Sequence, residues 1–349
     1  MGLPPIWVRR VVIAPLVVLL ATTLVTTLPV WLLIALAASP FVPGRLRVPR
    51  LVFLIVVYLV WDAVALVALA VTWVASGFGW QIRNAFFQRA HYVMTGWFLR
   101  ILFWFARWSL HLTIDVVGTD PDTAIPGRPE IVVSRHAGPG DSFTLIHALV
   151  NWFAREPRIV LKAALQWDPA VDVLLNRLPN RFISPGRTGT ATLEDQIGAL
   201  ATGLDDNDAF VIFPEGGNFT PGRKTKAIAR LRASGLDEMA DRATHLHNLL
   251  PPKPGGLFAA IDAAPDAGVI FVAHTGLDRM VTVSDVWREL PMDKRLVMRF
   301  WSVPPEEVPA GEQERVDWLY DWWARIDAWI DDNHPPDFPL PRLQPPRAR

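Results

Sequence analysis

The run EIVVSRHAGPGDSF, residues 130–143, places a histidine and a carboxylate with four residues between them, His136 and Asp141. A neutral imidazole can take a proton from a hydroxyl near pH 7. A carboxylate on its other nitrogen fixes the tautomer and stabilises the imidazolium that forms. The pair therefore suits general-base activation of an alcohol or of water. Along one continuous helix, five positions would set the two side chains about 140° apart around the axis, and they would not meet. Gly138-Pro139-Gly140 lies between them; glycine permits positive φ and proline fixes the bend, so this turn is expected to fold Asp141 back onto His136. On residue types alone, a histidine near an aspartate is more often a solvated turn. Ser134 and Ser142 flank the pair, yet neither sits in a Gly-x-Ser-x-Gly elbow, so both read as local hydrogen-bonding residues.

A second run, DAFVIFPEGGNFTPGRK, reads as a strand over Ala209–Phe213 that enters a turn of Pro214, Glu215, Gly216 and Gly217. Asn218, Arg223 and Lys224 follow. An acidic side chain and bare amides at a strand exit can bind a hydroxyl or stabilise an oxyanion, and the amides near Gly138 and Gly216 are the candidates. Its plain alternative is an ordinary strand-ending turn. Between the two runs, NRFISPGRTG is another strand and turn, ending near Arg187. The remaining histidines form no metal set. His245 and His247 fall in a polar helical stretch and His274 follows a strand, so surface or structural roles are expected and no metal is.

These side chains need a scaffold. Ile131–Val133 is a β-branched run before the first motif, and SFTLIHALVNWFA after it has helical periodicity, giving strand, loop and helix. Near the C-terminus, EQERVDWLYDWWARIDAWIDDN is a helix whose Trp318, Trp322 and Trp329, with Trp323 beside them, read as a packing face. The globular part is placed at residues 115–334, followed by a Pro-rich tail over 335–349. Upstream, residues 11–38 carry no charge and residues 51–76 carry only Asp62. About 20 apolar residues cross a bilayer core, so residues 1–80 read as a two-helix membrane hairpin. Pro15 and Pro29 leave open whether it spans or re-enters, and a buried hairpin of a soluble protein is the competing reading. Asp62 is expected to find a partner within the hairpin or near the interface. Residues 81–114 read as a linker with an interfacial helix, because Arg89, Arg100 and Arg107 interrupt dense aromatics. The 34 basic and 34 acidic residues balance, and no polybasic tract points to nucleic acid. Without cysteine the chain has no disulfide, thiolate metal site or Cys nucleophile.

The order of these motifs resembles the glycerolipid acyltransferase family, whose members acylate lysophosphatidic acid and other lysophospholipids. The family's His-x4-Asp motif matches His136 and Asp141. Its strand-turn-Arg motif matches Phe182, Ile183 and Arg187 loosely, and its Phe-Pro-Glu-Gly-Thr-Arg motif matches Phe213, Pro214, Glu215 and Gly216. IVLKAALQWDPAVDVLL resembles the intervening pattern through Lys162, Trp167 and Pro169. LLPPKPGGLFAAI and GVIFVAHTGLD resemble the late part of the lysocardiolipin and lysophosphatidate branch.

The resemblance covers roughly residues 115–285. It implies an α/β fold, a mixed sheet flanked by helices of the glycerol-phosphate acyltransferase kind, preceded by the two-helix anchor. It implies acyl transfer from acyl-CoA or an acyl carrier protein to a lysophospholipid hydroxyl, with no cofactor, at a membrane and with the catalytic domain on the cytoplasmic face. His136 and Asp141 would be catalytic. Lys162, Arg187, Phe213, Pro214, Glu215, Gly216, Gly217, Asn218, Arg223 and Lys224 would bind substrate. Gly217-Asn218 stands where the family has Thr-Arg, and Ser184-Pro185-Gly186 is inserted before Arg187. Arg187, Arg223, Lys224 and Lys226 could supply the missing charge. A glycolipid or other membrane alcohol as acceptor, a silent lipid-binding protein on the same fold, and a hydrolase remain the rival readings.

Overall fold

The computed structural model describes residues 3–42, 46–118, 120–183, 192–278, 287 and 294–334. In chain order it contains α1 (Ala14–Thr26), α2 (Leu28–Ala38), α3 (Arg47–Ala75), α4 (Ala85–Leu110), β1 (Thr113–Val117), α5 (Pro121–Ala124), β2 (Glu130–Ser134) and α6 (Pro139–Asn151). There follow β3 (Glu156–Lys162), α7 (Pro169–Leu175), β4 (Arg181–Ile183), α8 (Leu193–Ala201), β5 (Asp208–Ile212), α9 (Pro221–Ala233), α10 (Asp237–Thr244) and α11 (Pro254–Ala263). The last described elements are β6 (Gly268–Thr275), β7 (Arg295–Val303) and α12 (Glu312–Asn333).

The chain divides into two compact units. One comprises Met1–His111, Ile146–Thr192 and Thr282–Asp293, the other Leu112–Leu145, Leu193–Val281 and Lys294–Arg349. These limits differ from the boundaries read off composition at residues 80 and 114. Residues 146–192 group with the N-terminal helices, because Ala170 and Val173 of α7 share a buried apolar cluster with Ala14, Ala65, Leu66 and Leu69.

In this first unit Val8–Thr26 and Arg47–Ala75 are long and apolar enough to cross a membrane. Only 17% and 28% of their most apolar windows are buried, so the described chain leaves most of that surface uncovered. A core hairpin of a soluble protein would be covered instead. The first helix is wound more widely over Val8–Ile13, which are π-helical, and a break at Thr27 before Pro29 separates α1 from α2. Asp62 is buried and meets Asp168 and the Ala170 main chain, so its partner lies on the segment before α7 and not within the hairpin. Tyr58 donates to the same Asp168. Helix α4 is capped by Asn84, whose side chain accepts from the Phe87 amide at 2.9 Å. Val93, Trp97, Ile101, Trp104 and Trp108 form an exposed apolar stripe along it, while Tyr92, Leu99 and Phe103 are buried. The helix thus has one buried and one exposed apolar face. Strands β3 and β4 pair in parallel.

The second unit is built on strands in the order β1-β7-β6-β2-β5. All neighbours are parallel except β6 and β7, which run antiparallel. The mixed α/β sheet flanked by helices is thus present. β2, β5 and β6 are buried along their whole length, as near-continuous apolar central strands must be. Helix α12 packs on β6. Phe271 stacks on Trp322 at 4.6 Å and meets Trp318 edge-on at 5.3 Å, and Trp323 donates to the Leu250 carbonyl at 3.0 Å. The tryptophan-rich face is therefore core packing.

Candidate active site

The site is assembled within the second unit at the C-terminal ends of β2, β5 and β6. After Ser134 the chain leaves β2, passes His136 and enters α6 at Pro139. Neither Gly138 nor Gly140 takes positive φ, contrary to the turn expected from the sequence. Helix α6 simply begins early enough to place Asp141 in its first turn. From there the carboxylate reaches back: Oδ2 accepts from the Ala137 and Gly138 amides and lies 3.6 Å from His136 Nδ1. An acid in the first turn is also favoured by the helix dipole.

The contact at 3.6 Å is an ion-pair distance beyond a hydrogen bond, and such catalytic contacts shorten when substrate is bound. Nδ1 is buried, whereas the His136 side chain as a whole is 14% exposed, so Nε2 is the nitrogen left to meet a substrate. The ring rests 4.9 Å from the Phe213 ring. Burial by itself would raise the Asp141 carboxyl. His274, His136, the Gly138 amide and Arg135 outweigh that and hold it below its ordinary value, hence ionised.

Two glutamate oxygens secure the loop. Glu215 is buried; Oε1 accepts from the His136 amide at 2.7 Å and Oε2 from the Leu250 amide at 2.8 Å. Both oxygens are thus engaged by main chain, so Glu215 holds the catalytic loop and does not face an acceptor hydroxyl. Burial pushes its pKa up to about 8, against the opposing effect of Arg135 and the two amides. The Phe219 amide donates to the His136 carbonyl at 3.0 Å, a second tie between the two motif loops.

Below the loop lies a layer that sequence reasoning missed. Arg135 is buried and donates through Nη1 to the His274 carbonyl at 2.6 Å and to Asp278 Oδ1 at 2.5 Å. Asp278 Oδ2 accepts from Thr275 Oγ1 at 2.9 Å and from the Gly276 amide at 2.8 Å. Despite burial, Arg135, the Gly276 amide and His274 bring Asp278 down to about 2. His274 lies inside β6, and its Nδ1 is 3.7 Å from Asp141 Oδ1, so the carboxylate sits between two imidazoles. Burial lowers the pKa of His274. The charge of Arg135, directly after a β-branched strand, was the signal that could have pointed to this layer.

The other residues expected at the site are spread more widely. Pro214 is buried, and its carbonyl accepts from the Lys253 amide at 3.0 Å. Gly216, at φ 68°, donates its amide to the Phe213 carbonyl. The Gly138 and Gly216 amides proposed for an oxyanion are therefore both engaged within the loops. Among the described residues, the Gly217 and Asn218 amides have no protein acceptor. Lys224 donates to the carbonyls of Thr244 and Leu246, so it cannot replace a phosphate-binding arginine. Arg223 is exposed, and its Nη1 donates to the Asn218 carbonyl at 3.0 Å. Lys162 is exposed at the end of β3, in the other unit. Arg187 lies outside the described residues. His247, beyond the end of α10 and not in a helix, contacts Asp331 at 2.8 Å. Asp327 accepts the His247 and Asn248 amides at 2.7 Å each, a structural use of these groups.

An imidazole beside an ionised aspartate and a strand-exit turn is an arrangement that can act as a general base on a hydroxyl. Residues 115–276 match the family model described as Acyltransferase. That match bears out the resemblance to the glycerolipid acyltransferase family over those residues. Among solved structures it is similar to the crystal structure of the 1-acyl-sn-glycerophosphate (LPA) acyltransferase, PlsC, from Thermotoga maritima. The identity is 15% and the TM-score 0.44, over 93% of this chain and 99% of that one. No curated protein matches the sequence significantly.

Proposed function

We propose that this chain transfers a fatty acyl group from an acyl-CoA or acyl carrier protein thioester to the hydroxyl of a lysophospholipid such as 1-acylglycerol-3-phosphate. The observation that supports it most is the orientation of His136, with Nδ1 buried toward an ionised Asp141 and Nε2 left for substrate. His136 Nε2 takes the proton as the acceptor oxygen attacks the thioester carbonyl, and Asp141 stabilises the imidazolium. The tetrahedral oxyanion meets the unengaged amides of Gly217 and Asn218. Collapse breaks the C–S bond, and the imidazolium returns the proton to the leaving thiolate. The ester is formed and His136 is restored without an acyl-enzyme. No cofactor is needed. The apolar helices of the first unit bring the site to a bilayer, with the catalytic domain on the cytoplasmic face, where soluble thioester donors are found.

A second acceptor class, a glycolipid or other uncharged membrane alcohol, is favoured by one observation. Asn218 occupies the family's arginine position, and among the described residues its side chain has no partner. The test is an acceptor screen with radiolabelled acyl-CoA and purified protein in detergent, run beside His136→Ala. Labelled diacyl phospholipid from wild type alone is the expected result. Free fatty acid without any acceptor-dependent product would indicate a hydrolase, and equal turnover by a folded His136→Ala protein would remove the proposed base.

A further inference from the structure

The turn beside His136 carries a cation that no described residue engages. Lys253 precedes α11, and its backbone N–H donates to the Pro214 carbonyl, which fastens it to the Pro214–Gly217 turn. Its ammonium lies against Gly216, where a Cβ would stand only 2.9 Å from Nζ. The positive φ of Gly216 calls for glycine at that position. Lys253 is exposed, and among the described residues Nζ has no hydrogen-bond or ion-pair partner. Glu194 lies against Gly255 in the first turn of α11 but forms no ion pair with Lys253 among the described residues. By contrast Lys224 and Arg135 are committed to protein groups. Arg223 also lacks a carboxylate partner among the described residues, and it reaches the same turn through the Asn218 carbonyl.

We infer that Lys253, with Arg223, binds a phosphate monoester on the acceptor lipid, the charge that Asn218 cannot meet. The inference rests on the acyl-transfer reading and adds the side chains that select its acceptor. An ammonium is a point charge with three donors and suits a dianionic phosphate without needing bidentate geometry. The turn is tied to His136 through Glu215 and Phe219, so a phosphate here holds the rest of the acceptor near the base. An uncharged acceptor gains nothing from Lys253.

The test compares wild type, Lys253→Met, Lys253→Arg and Arg223→Gln with lysophosphatidate and with monoacylglycerol. Methionine keeps the apolar stem and removes only the charge. Lys253→Met is expected to raise the lysophosphatidate KM at least about tenfold, the loss of one charge-assisted contact, with kcat little changed. Lys253→Arg is expected to restore it, and the monoacylglycerol KM is expected not to move. Higher salt is expected to narrow the gap between wild type and Lys253→Met. An unchanged lysophosphatidate KM in Lys253→Met overturns the inference. Wild-type preference for monoacylglycerol also overturns it, while leaving acyl transfer standing. A separate arm titrates short-chain lysophosphatidate into His136→Ala protein by calorimetry, with and without Lys253→Met. Binding that survives Lys253→Met refutes the site whatever the turnover assays give, and binding lost with the charge supports it even if no transfer is detected.

Discussion

Replacing Asp141 by asparagine isolates the charge that the site holds beside its base. The substitution is nearly isosteric, and the amide oxygen can still accept from Ala137 and Gly138, so the loop is retained. What disappears is a negative charge 3.6 Å from His136 Nδ1. With an effective dielectric near 20, Coulomb's law gives about 4–5 kcal/mol between that charge and an imidazolium. The ground state carries a neutral ring, so this attraction exists mainly in the transition state and appears in kcat. At about 1.4 kcal/mol per decade it corresponds to a loss of roughly 10³, within the range for general-base catalysis. The assay is initial rate against acceptor at saturating acyl-CoA, on protein whose thermal unfolding matches wild type. We expect kcat to fall by about 10²–10⁴ with KM changed little. A folded Asp141→Asn enzyme within tenfold of wild type would falsify the assignment, as would a loss confined to KM.

Asp278→Asn tests the layer beneath the loop: it leaves the buried Arg135 charge unpaired, at a cost of about 3–5 kcal/mol, and an unchanged thermal midpoint would refute that pairing. Because Asp278 is held at about 2 against an ordinary 3.8, it contributes about 2 kcal/mol above its unfolded value, lost as pH falls from about 4 toward 2. Wild type is therefore expected to lose more stability than Asp278→Asn over that interval, and parallel pH curves would contradict it. For the membrane, the full chain is expected to stay in the pellet after carbonate washing, since Val8–Thr26 and Arg47–Ala75 leave most of their apolar surface uncovered; recovery as a detergent-free soluble monomer would show otherwise.

Local pattern made the strand, loop and helix around His136 legible, because periodicity and β-branching act over a few residues. It also gave the strand before Pro214 to within one residue and the buried face of α12. The mechanism of the fold-back was misread, since a helix beginning at Pro139 brings Asp141 round without left-handed glycine. The placing of His274 and Asp278 beside the site was not legible for a different reason. They meet Arg135 and Asp141 only because β6 lies beside β2, a pairing between segments over a hundred residues apart. The uses of Lys224 and Glu215 were hidden in the same way, in main-chain groups that no side-chain pattern reports.

At the start of the first apolar helix, Arg9 donates to Asp172 Oδ1 at 2.8 Å and to Gln166 at 2.9 Å, and Arg10 reaches Asp172 Oδ2 at 3.2 Å. Asp172 is wholly buried, so its charge is balanced from a helix some 160 residues away in sequence. The hairpin is therefore not a leash that could be exchanged for another apolar segment of equal length. A borrowed anchor without an arginine at that depth would strand a buried carboxylate at about 3–5 kcal/mol and uncover Ala170 and Val173 as well. Anchor and α7 must change together in descent: where Arg9 is replaced by an apolar residue, position 172 should have lost its acid too.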